Sequence, residues 1–437
     1  MTAVAPRNVP RAWLIVADDL TGAADTGIAF ARRGLATVVT WRNGETWGDA
    51  SLRHAADQLA GDVPVIAVDA DSRRLPAPAA AARQSAALAA HQTPGRIVYK
   101  KIDSTLRGQP AAETAALLAD LRRHDHRTIA FVAPAFPATG RTTEAGRVLV
   151  NGQRLEDTPI FARDHSYDSG SLPDVLKTAG LESGVVPLDQ LRRGAGVVRG
   201  IVENAMAEGC DAVVCDAATP EDLLVAAEAV LPLADRMLFV GTGGLASALA
   251  RLVAPDEPPP PALPAVTGPV LVLVGSVAEA SRAAAETLAA SGRVTPVQVP
   301  EAVLRDAPGA QTAGRELTAK IGAALGDGHV LVVTEFGPGS DLAAGGAVAA
   351  RLADLVGPAT AHLGGLVCTG GDTVCALLGR IGVTGIRLVD EVEPGVPLGV
   401  TVGALALPIA TKAGGFGTDA TLLHCLDRLT SSASEKA

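Results

Sequence analysis

The sequence predicts an α/β protein of two domains, each built on a mainly parallel sheet flanked by helices, with the active site in the cleft between the domains. Three observations lead to this prediction. Short Val- and Ile-rich runs alternate with Ala- and Leu-rich helical patterns, a run of four prolines interrupts the alternation, and strand–turn–helix patterns resume after it. A chain of 437 residues is long enough for two or three domains.

The first domain is predicted over residues 11–253. Runs such as AWLIVADD and RIVYKKIDS are predicted strands, and runs such as PAAETAALLADLRRH are predicted crossover helices. Apolar strands that alternate with helices are typical of a parallel sheet, because such strands are covered on both faces. Ligands of these sheets bind beyond the carboxyl ends of the strands. We therefore expect a ligand site where the strands of this domain end.

The proline run lies in a predicted linker, residues 254–267. Consecutive prolines cannot continue a helix or pair within a central strand, so this segment is expected to be a semi-rigid spacer. The second domain is predicted over residues 268–426. It opens with PVLVLVGSVAEASRAAAETLAASG, which predicts a strand, a Gly-Ser turn and a helix.

Composition excludes several classes of protein. Hydrophobic residues make up 48% of the chain and charged residues 19%, which is typical of a globular protein. A net charge of −10 without a basic cluster argues against nucleic-acid binding. The five cysteines form no CxxC pair, which fits a reducing cytoplasm, and the histidines lack metal-binding spacing. We expect neither a signal peptide nor a membrane span.

Acidic and basic residues occur together where the predicted strands of the first domain end. They are Asp18, Asp19, Arg73, Lys101, Asp103 and Arg107. The basic side chains can bind a carboxylate, since arginine presents a bidentate fork, and the carboxylates can accept hydrogen bonds from sugar hydroxyls. The alternative interpretation is that these charges pair with one another as a structural network.

Small residues follow three predicted strands of the second domain. The turns contain Gly275 and Ser276, then Gly370 to Thr373 in TGGDT, then Gly414 and Gly415 in KAGGFG. Backbone N–H groups at a helix start, unobstructed by side chains, form an anion site. Glycine is also common in the turns of α/β proteins in general, but three such turns in one domain favour phosphate binding. The absence of GxxxxGK[ST] excludes a P-loop.

Seven motifs, in the same order along residues 13–426, resemble the four-carbon acid sugar kinases: ADDLTGAADTG, VDADSR, KKIDSTLRG, APAFPATGRTT, GSVAEAS, TGGDT and KAGGFG. The resemblance implies an N-terminal acid-sugar-binding domain and a C-terminal nucleotide-binding domain. It implies that ATP phosphorylates the terminal C4 hydroxyl of threonate, erythronate or an oxo-tetronate in acid-sugar catabolism. Mg²⁺ is implied by ATP, held by the phosphates and one or two carboxylates.

The resemblance also implies roles for particular residues. The acid-sugar side is implied to comprise Asp18, Asp19, Arg73, Lys101, Asp103, Ser104 and Arg107. The ATP contacts are implied to be Ser276, Gly370, Gly371, Asp372, Thr373, Gly414 and Gly415. We expect Asp19 or Asp103 to be the general base, because the base must reach the sugar hydroxyl.

Two other functions remain open at this point. TGGDT also resembles the helix start of ribokinase-like sugar kinases, in which Asp372 would be the base. A non-enzymatic sugar-acid sensor is the other alternative. The residues leave the tetronate and its stereoisomer undecided, and a homodimer is expected only from base rates.

Overall fold

The computed structural model describes residues 12–43, 46–47, 63–161, 166–254, 263–305, 307–336 and 345–431. Its contacts divide the chain into two compact units, whose described parts are residues 12–254 and 263–431 with the gaps given above. The proline run of the predicted linker lies outside the described residues. The prediction of two α/β units with mainly parallel strands is confirmed.

The first unit contains a parallel sheet and a small antiparallel sheet. Its strands are β1 (Trp13–Ala17), β2 (Thr37–Asn43), β3 (Thr46–Trp47), β4 (Val65–Asp69), β5 (Ile97–Lys101), β6 (Ile129–Ala133), β7 (Arg141–Glu144), β8 (Arg147–Val150), β9 (Gln153–Arg154), β10 (Ser183–Val186), β11 (Ala212–Cys215) and β12 (Met237–Gly241). The parallel strands run in the order β10-β11-β6-β12-β5-β1-β4-β2, and β3 pairs antiparallel with β2. Strands β7, β8 and β9 form the antiparallel sheet.

Helices cover the parallel sheet of the first unit. They are α1 (Leu20–Ala31), α2 (Ala77–His91), α3 (Pro110–Arg122), α4 (Leu172–Lys177), α5 (Leu188–Leu191), α6 (Ala195–Glu208), α7 (Pro220–Val230) and α8 (Gly243–Val253). Every residue of β1, β4 and β5 is buried, as expected for strands covered on both faces. The Trp13 indole lies 5.2 Å from the Phe30 ring and 5.6 Å from the Phe239 ring, between centroids.

The order of the strands brings three chain segments to one edge. Strand β1 lies between β4 and β5: after β1 the chain forms β2 and β4 on one side and later reaches β5 on the other. Such a reversal of strand order opens a crevice at the carboxyl ends of the strands. The segments that follow these three strands therefore face the same place.

The second unit contains one sheet of mixed direction. Its strands are β13 (Val270–Val274), β14 (Thr295–Pro300), β15 (Val330–Glu335), β16 (Gly365–Thr369), β17 (Val383–Glu391), β18 (Pro397–Gly403) and β19 (Pro408–Lys412). They run in the order β17-β18-β19-β16-β13-β15-β14, and the five from β19 to β14 are parallel. Strand β18 is antiparallel to both of its neighbours in this unit.

Helices on this second sheet complete a core of Val, Leu and Ala. They are α9 (Glu279–Ala290), α10 (Glu301–Leu304), α11 (Ala310–Asp327), α12 (Gly345–Val356), α13 (Gly371–Arg380) and α14 (Thr421–Thr430). Helix α13 begins directly after β16, with Gly370 between them in a left-handed conformation at φ +90°. Across the described ranges, no helix has both the length and the apolar character needed to cross a bilayer.

Candidate functional site

The segments after β1, β4 and β5 place the predicted acid-sugar residues at one edge of the first sheet. Ala17 pairs with Asp69, and Val16 pairs with Lys100 on the other side. The backbone N–H groups of Ser72 and Arg73 both donate to the carbonyl oxygen of Asp18, at 3.0 and 3.1 Å. These two bonds fold the segment after β4 back over the end of β1.

Arg73 joins the two adjacent carboxylates. Its Nε donates to Asp18 Oδ2 at 2.7 Å and its Nη2 to Asp18 Oδ1 at 2.8 Å, while Nη1 donates to Asp19 Oδ2. Burial by itself would raise the pKa of Asp18, but the charges of Arg73, Lys100 and Lys101 and the hydrogen bonds from Arg73 together outweigh burial and hold that pKa below its ordinary value. Asp18 is therefore ionised and bound by a fork that matches its geometry.

Asp19 differs from Asp18 in exposure and in proton affinity. It is the N-cap of α1, where its Oδ1 accepts a hydrogen bond from the Gly22 N–H at 2.7 Å. The Asp19 side chain is 29% exposed, against 2% for Asp18. Loss of hydration raises the pKa of Asp19; Arg73 opposes this rise and the Asp18 charge adds to it. A Cβ at Gly22 would lie 2.7 Å from Asp19 Oδ1, so this helix start needs glycine.

Asp103 is held by its own loop. Arg107 donates from Nε and Nη2 to its two carboxylate oxygens, at 3.1 and 2.8 Å, and the Thr105 N–H donates to Oδ2 at 3.1 Å. Although burial opposes the shift, hydrogen bonds from Arg107 and the Arg73 charge put the pKa of Asp103 well below its ordinary range. Leu106, buried in the same loop, adopts φ +61°, a conformation that bulky residues rarely take.

The other predicted residues of the acid-sugar side lie in the same region. Lys101 is buried and its Nζ donates to the carbonyl oxygen of Ile102 at 2.9 Å. Ser104 is half-buried in the loop between Asp103 and Arg107. The charges do pair with one another, as the alternative interpretation held, so a role in substrate binding stays a prediction.

A second buried ion pair beneath this edge was missed by sequence reasoning. Lys100 Nζ lies 2.8 Å from Glu113 Oε2, and both side chains are fully buried. Glu113 Oε1 accepts a hydrogen bond from Ser72 Oγ at 2.5 Å, and Gln84 Nε2 donates to the same hydroxyl at 2.9 Å. The network thus fixes the residue before Arg73. Its one signal in the sequence is the pair of lysines, Lys100 and Lys101, that ends the buried strand β5.

In the second unit, the three predicted turns lie side by side. Strand β16 lies between β13 and β19, and its last residue, Thr369, pairs with both Val274 and Lys412. The turns that follow these strands therefore leave the sheet from neighbouring positions. The Gly370 N–H donates to the Lys412 carbonyl oxygen at 2.9 Å, which joins two of the turns directly.

Close contacts between the turns explain two of the glycines. A Cβ at Gly275 would lie 2.1 Å from Thr373 Oγ1, and one at Gly414 would lie 2.3 Å from Ser276 Oγ. Gly415 is different, because a Cβ there would meet nothing within 4 Å. Packing accounts for Gly275 and Gly414, whereas the open space at Gly415 leaves room for a ligand.

Lys412 supports the last turn from below. Its buried Nζ donates to Ser281 Oγ at 2.9 Å and to the carbonyl oxygens of Ala413 and Gly414, each at 3.2 Å. Ser281 Oγ in turn donates to the Gly414 carbonyl oxygen at 2.8 Å. Burial lowers the pKa of Lys412. Both side chains bind carbonyl oxygens, which leaves the N–H side of the turn for an anion.

The donor set around these turns fits Mg²⁺ held mainly by phosphate. Asp372 is exposed in the first turn of α13, next to Gly371 and the buried Thr373. Among the residues that the structure describes, no three His, Cys, Asp or Glu side chains come together as a metal site. Asp372 thus lies beside the predicted phosphate site, and proteins usually bind this ion with a nucleotide through phosphate oxygens and one or two carboxylates.

Comparison with known proteins follows the same division of the chain. A sugar-binding N-terminal domain family matches residues 13–249, and a nucleotide-binding C-terminal domain family matches residues 271–422. D-threonate kinase of Cupriavidus necator is 40% identical over 97% of this chain and 100% of its own length. 3-oxo-tetronate kinase of Methylobacterium radiotolerans is 31% identical over 92% and 95%. A solved Haemophilus influenzae protein, 22% identical, covers 95% of this chain and 100% of its own with a TM-score of 0.75, which supports the fold.

The Arg107–Asp103 pair predicts a pH-dependent loss of stability. Because the pKa of Asp103 is lowered in the folded state, its contribution is present above the ordinary carboxyl pKa and is lost as the pH falls. Arg107 is 42% exposed, so we expect Arg107→Gln to lower the free energy of unfolding by only about 1 kcal/mol at pH 7. The difference in the free energy of unfolding between wild type and Arg107→Gln should become smaller below about pH 4.

Urea unfolding of wild type and variant between pH 7 and pH 3 measures this effect. Arg33→Gln, at an exposed arginine beyond α1, is the matched control and should show a small difference that does not follow the same pH dependence. A constant difference for Arg107→Gln across the range would mean that Asp103 is not the group stabilised by Arg107.

Proposed function

This chain belongs to the family of four-carbon acid sugar kinases, phosphotransferases that act on an alcohol group of such a sugar, and from this premise we propose that it phosphorylates D-threonate at the C4 hydroxyl with ATP. Identity of 40% to a D-threonate kinase, against 31% to a 3-oxo-tetronate kinase, supports the choice of substrate. Membership in a kinase family removes the non-enzymatic sensor as an alternative. The cytoplasm, where ATP is available, is the proposed compartment.

The observation that carries the proposal is the mixed network of acids and bases at the edge formed by β4, β1 and β5. Lys101 and the exposed side of Arg107 supply positive charge for the carboxylate of the substrate. Asp18 and Asp19 supply acceptors for its hydroxyl groups, since each carboxylate oxygen has more than one lone pair. A polyhydroxylated acid needs both kinds of partner within a few ångströms.

Asp19 suits the role of general base better than Asp103. A base must reach the proton that it accepts and should have a pKa close to the working pH. The pKa of Asp19 is raised and its side chain is partly exposed. The pKa of Asp103 is lowered, and its side chain is only 10% exposed. We therefore assign the base to Asp19 and a positioning role to Asp103.

The proposed step is a direct phosphoryl transfer. The C4 oxygen forms a bond to the γ-phosphorus while the bond from that phosphorus to the β,γ-bridging oxygen breaks, and ADP leaves with the bridging oxygen. The hydroxyl proton passes to the Asp19 carboxylate. The protein contributes mainly position and charge to such a transfer.

The three glycine turns of the second unit are the proposed site for the phosphates of ATP. Their backbone N–H groups, with the hydroxyls of Ser276 and Thr373, can donate to phosphate oxygens. Mg²⁺ bound with the nucleotide neutralises phosphate charge, and Asp372 is the residue that would hold it. A homodimer stays a prediction.

Substrate preference is tested by measuring ADP release with a panel of acids. We expect kcat/KM for D-threonate to exceed that for L-threonate, D- and L-erythronate and 3-oxo-tetronate by ~10-fold or more, because each misplaced hydroxyl leaves polar groups unpaired. Omission of the acid is the control for ATP hydrolysis. A higher kcat/KM for any other member of the panel would reassign the substrate while leaving the kinase activity in place.

Substitution of three carboxylates distinguishes the general base from a nucleotide contact. Asp19→Asn should lower kcat by ~10²–10⁴-fold with little change in the KM for ATP. Asparagine is also a good N-cap, so α1 should stay intact. Asp372→Asn should mainly raise the KM for ATP, and Asp103→Asn should mainly raise the KM for the acid.

Steady-state kinetics with both substrates varied, together with thermal melting, measure these effects. Loss of turnover in Asp372→Asn alone, with normal ATP binding, would favour the ribokinase-like mechanism in which Asp372 is the base.

Gly415→Val tests whether the last turn contacts the nucleotide. The valine side chain has open space in the protein, so the melting temperature should hold. The same side chain would obstruct a phosphate, and we expect the affinity for ADP to fall about tenfold or more. Gly322→Val, at another glycine with open space, on helix α11, is the matched control and should bind ADP as wild type does. Calorimetry measures the affinity of each variant for ADP. An affinity of Gly415→Val equal to that of wild type would mean that this turn does not contact the nucleotide.

A further inference from the structure

Phe416 exposes an aromatic ring beside the last glycine turn. Its side chain is 43% exposed, and among the described residues the only other large apolar side chain in this class is Ile160, at 36%. Phenylalanine is scarce in this chain, with seven in 437 residues. Apolar rings are normally buried, so an exposed ring next to a candidate ligand site points to a binding role.

The ring is close to the predicted phosphate site in the chain and in space. Phe416 follows Gly415, and its N–H donates to the Ala413 carbonyl oxygen at 3.2 Å, which closes a tight turn. Within that turn, Gly414 contacts Ser276 of the first glycine turn. The three glycine turns offer backbone N–H groups and hydroxyls to a phosphate, and Phe416 is the aromatic side chain beside them.

Gly395, in the connection between β17 and β18, packs against the Phe416 ring. Because Gly395 has no side chain, the ring contacts the backbone there. A Cβ at Gly395 would lie 2.5 Å from Phe416 Cδ1 and 3.1 Å from Cε1. Gly395 also adopts φ +80°, which favours glycine for a second reason. The backbone thus supports the Phe416 ring, whose exposed part remains free for a ligand.

A carboxylate fixes the segments on both sides of this contact. Glu393 Oε2 accepts a hydrogen bond from Thr421 Oγ1 at 2.7 Å, and Glu393 Oε1 lies 2.6 Å from His424 Nδ1. The Thr418 N–H donates to the same Thr421 hydroxyl at 2.7 Å. The connection that carries Gly395 and the turn that carries Phe416 are therefore both tied to the start of α14. A ring fixed in this way loses little freedom on binding a ligand.

We propose that the exposed face of Phe416 stacks on the adenine ring of ATP. The inference rests on the proposed function, because it takes the glycine turns to bind the phosphates of the same nucleotide. Aromatic side chains stack on nucleobases through the π-face that every base has. A single ring is too small for a stable protein interface, which normally buries far more surface. Stacking also tolerates guanine, so GTP should bind with similar affinity.

Calorimetry on the full chain tests the proposal with ADP and inorganic triphosphate as probes. Phe416→Ala should weaken ADP binding about tenfold, because one base–aromatic stack is lost, and should change triphosphate binding by less than about twofold. Phe416→Trp should restore ADP binding, and its new indole fluorescence should change with ADP but not with triphosphate. Ile160→Ala, the other exposed apolar side chain, is the matched control and should bind both probes as wild type does.

Three outcomes would overturn the proposal. ADP affinity equal to wild type in Phe416→Ala means that the ring does not contact the base. Equal losses of ADP and triphosphate affinity mean that Phe416 only shapes the turn. If Phe416→Ala sediments as a smaller assembly than wild type and its ADP affinity is unchanged, the ring packs against another chain. Failure of the wild-type protein to bind ADP would instead refute the proposed function, and the stacking proposal with it.

Discussion

Arg73 is the side chain on which the charged edge formed by the ends of β4, β1 and β5 depends. Two carboxylates next to each other in the sequence repel, and burial makes that repulsion stronger. The guanidinium of Arg73 binds both Asp18 and Asp19, and it lies 3.9 Å from Asp103 at its nearest approach. Arg73, which follows β4, is therefore the cation that links the acids at the ends of β1 and β5, with Lys101 and Arg107 adding positive charge. Removing Arg73 would leave the buried Asp18 carboxylate without its hydrogen-bonding partner, which costs more than the pair contributes.

Under the proposed function, the two units would bind their anionic ligands in different ways. The first concentrates full charges and holds them in pairs, with the Lys100–Glu113 pair as a second layer below. The second uses backbone groups, and it obtains room for them by contacts that only glycine permits at Gly275 and Gly414. Charges select for hydrogen-bonding geometry, whereas backbone N–H groups accept any phosphate of suitable shape. The division matches an acid that must be recognised and a nucleotide that must be positioned.

Sequence reasoning found the elements whose signals are local. Buried parallel strands are continuous apolar runs, and glycine or aspartate directly after such a run marks its carboxyl end, so both edges could be predicted. The Glu113 contact with Lys100 could not, because Glu113 looks like an ordinary acidic residue in the first turn of α3. The roles of Lys412 below its turn and of Glu393 beside α14 also depend on contacts between segments that spacing does not relate. Strands β7 to β9, β17 and β18 lacked the apolar pattern of the predicted strands.

The order of the strands along the chain has a consequence for biosynthesis. Asp18, Arg73, Asp103 and Glu113 are all translated by residue 113, together with the strands β1, β4 and β5 that position them. The turns of the second unit need β19, because β16 is enclosed between β13 and β19. Domains fold as units in the order of their synthesis. A nascent chain can therefore assemble its charged edge first, whereas the glycine turns can come together only after β19, which ends at Lys412, has been translated.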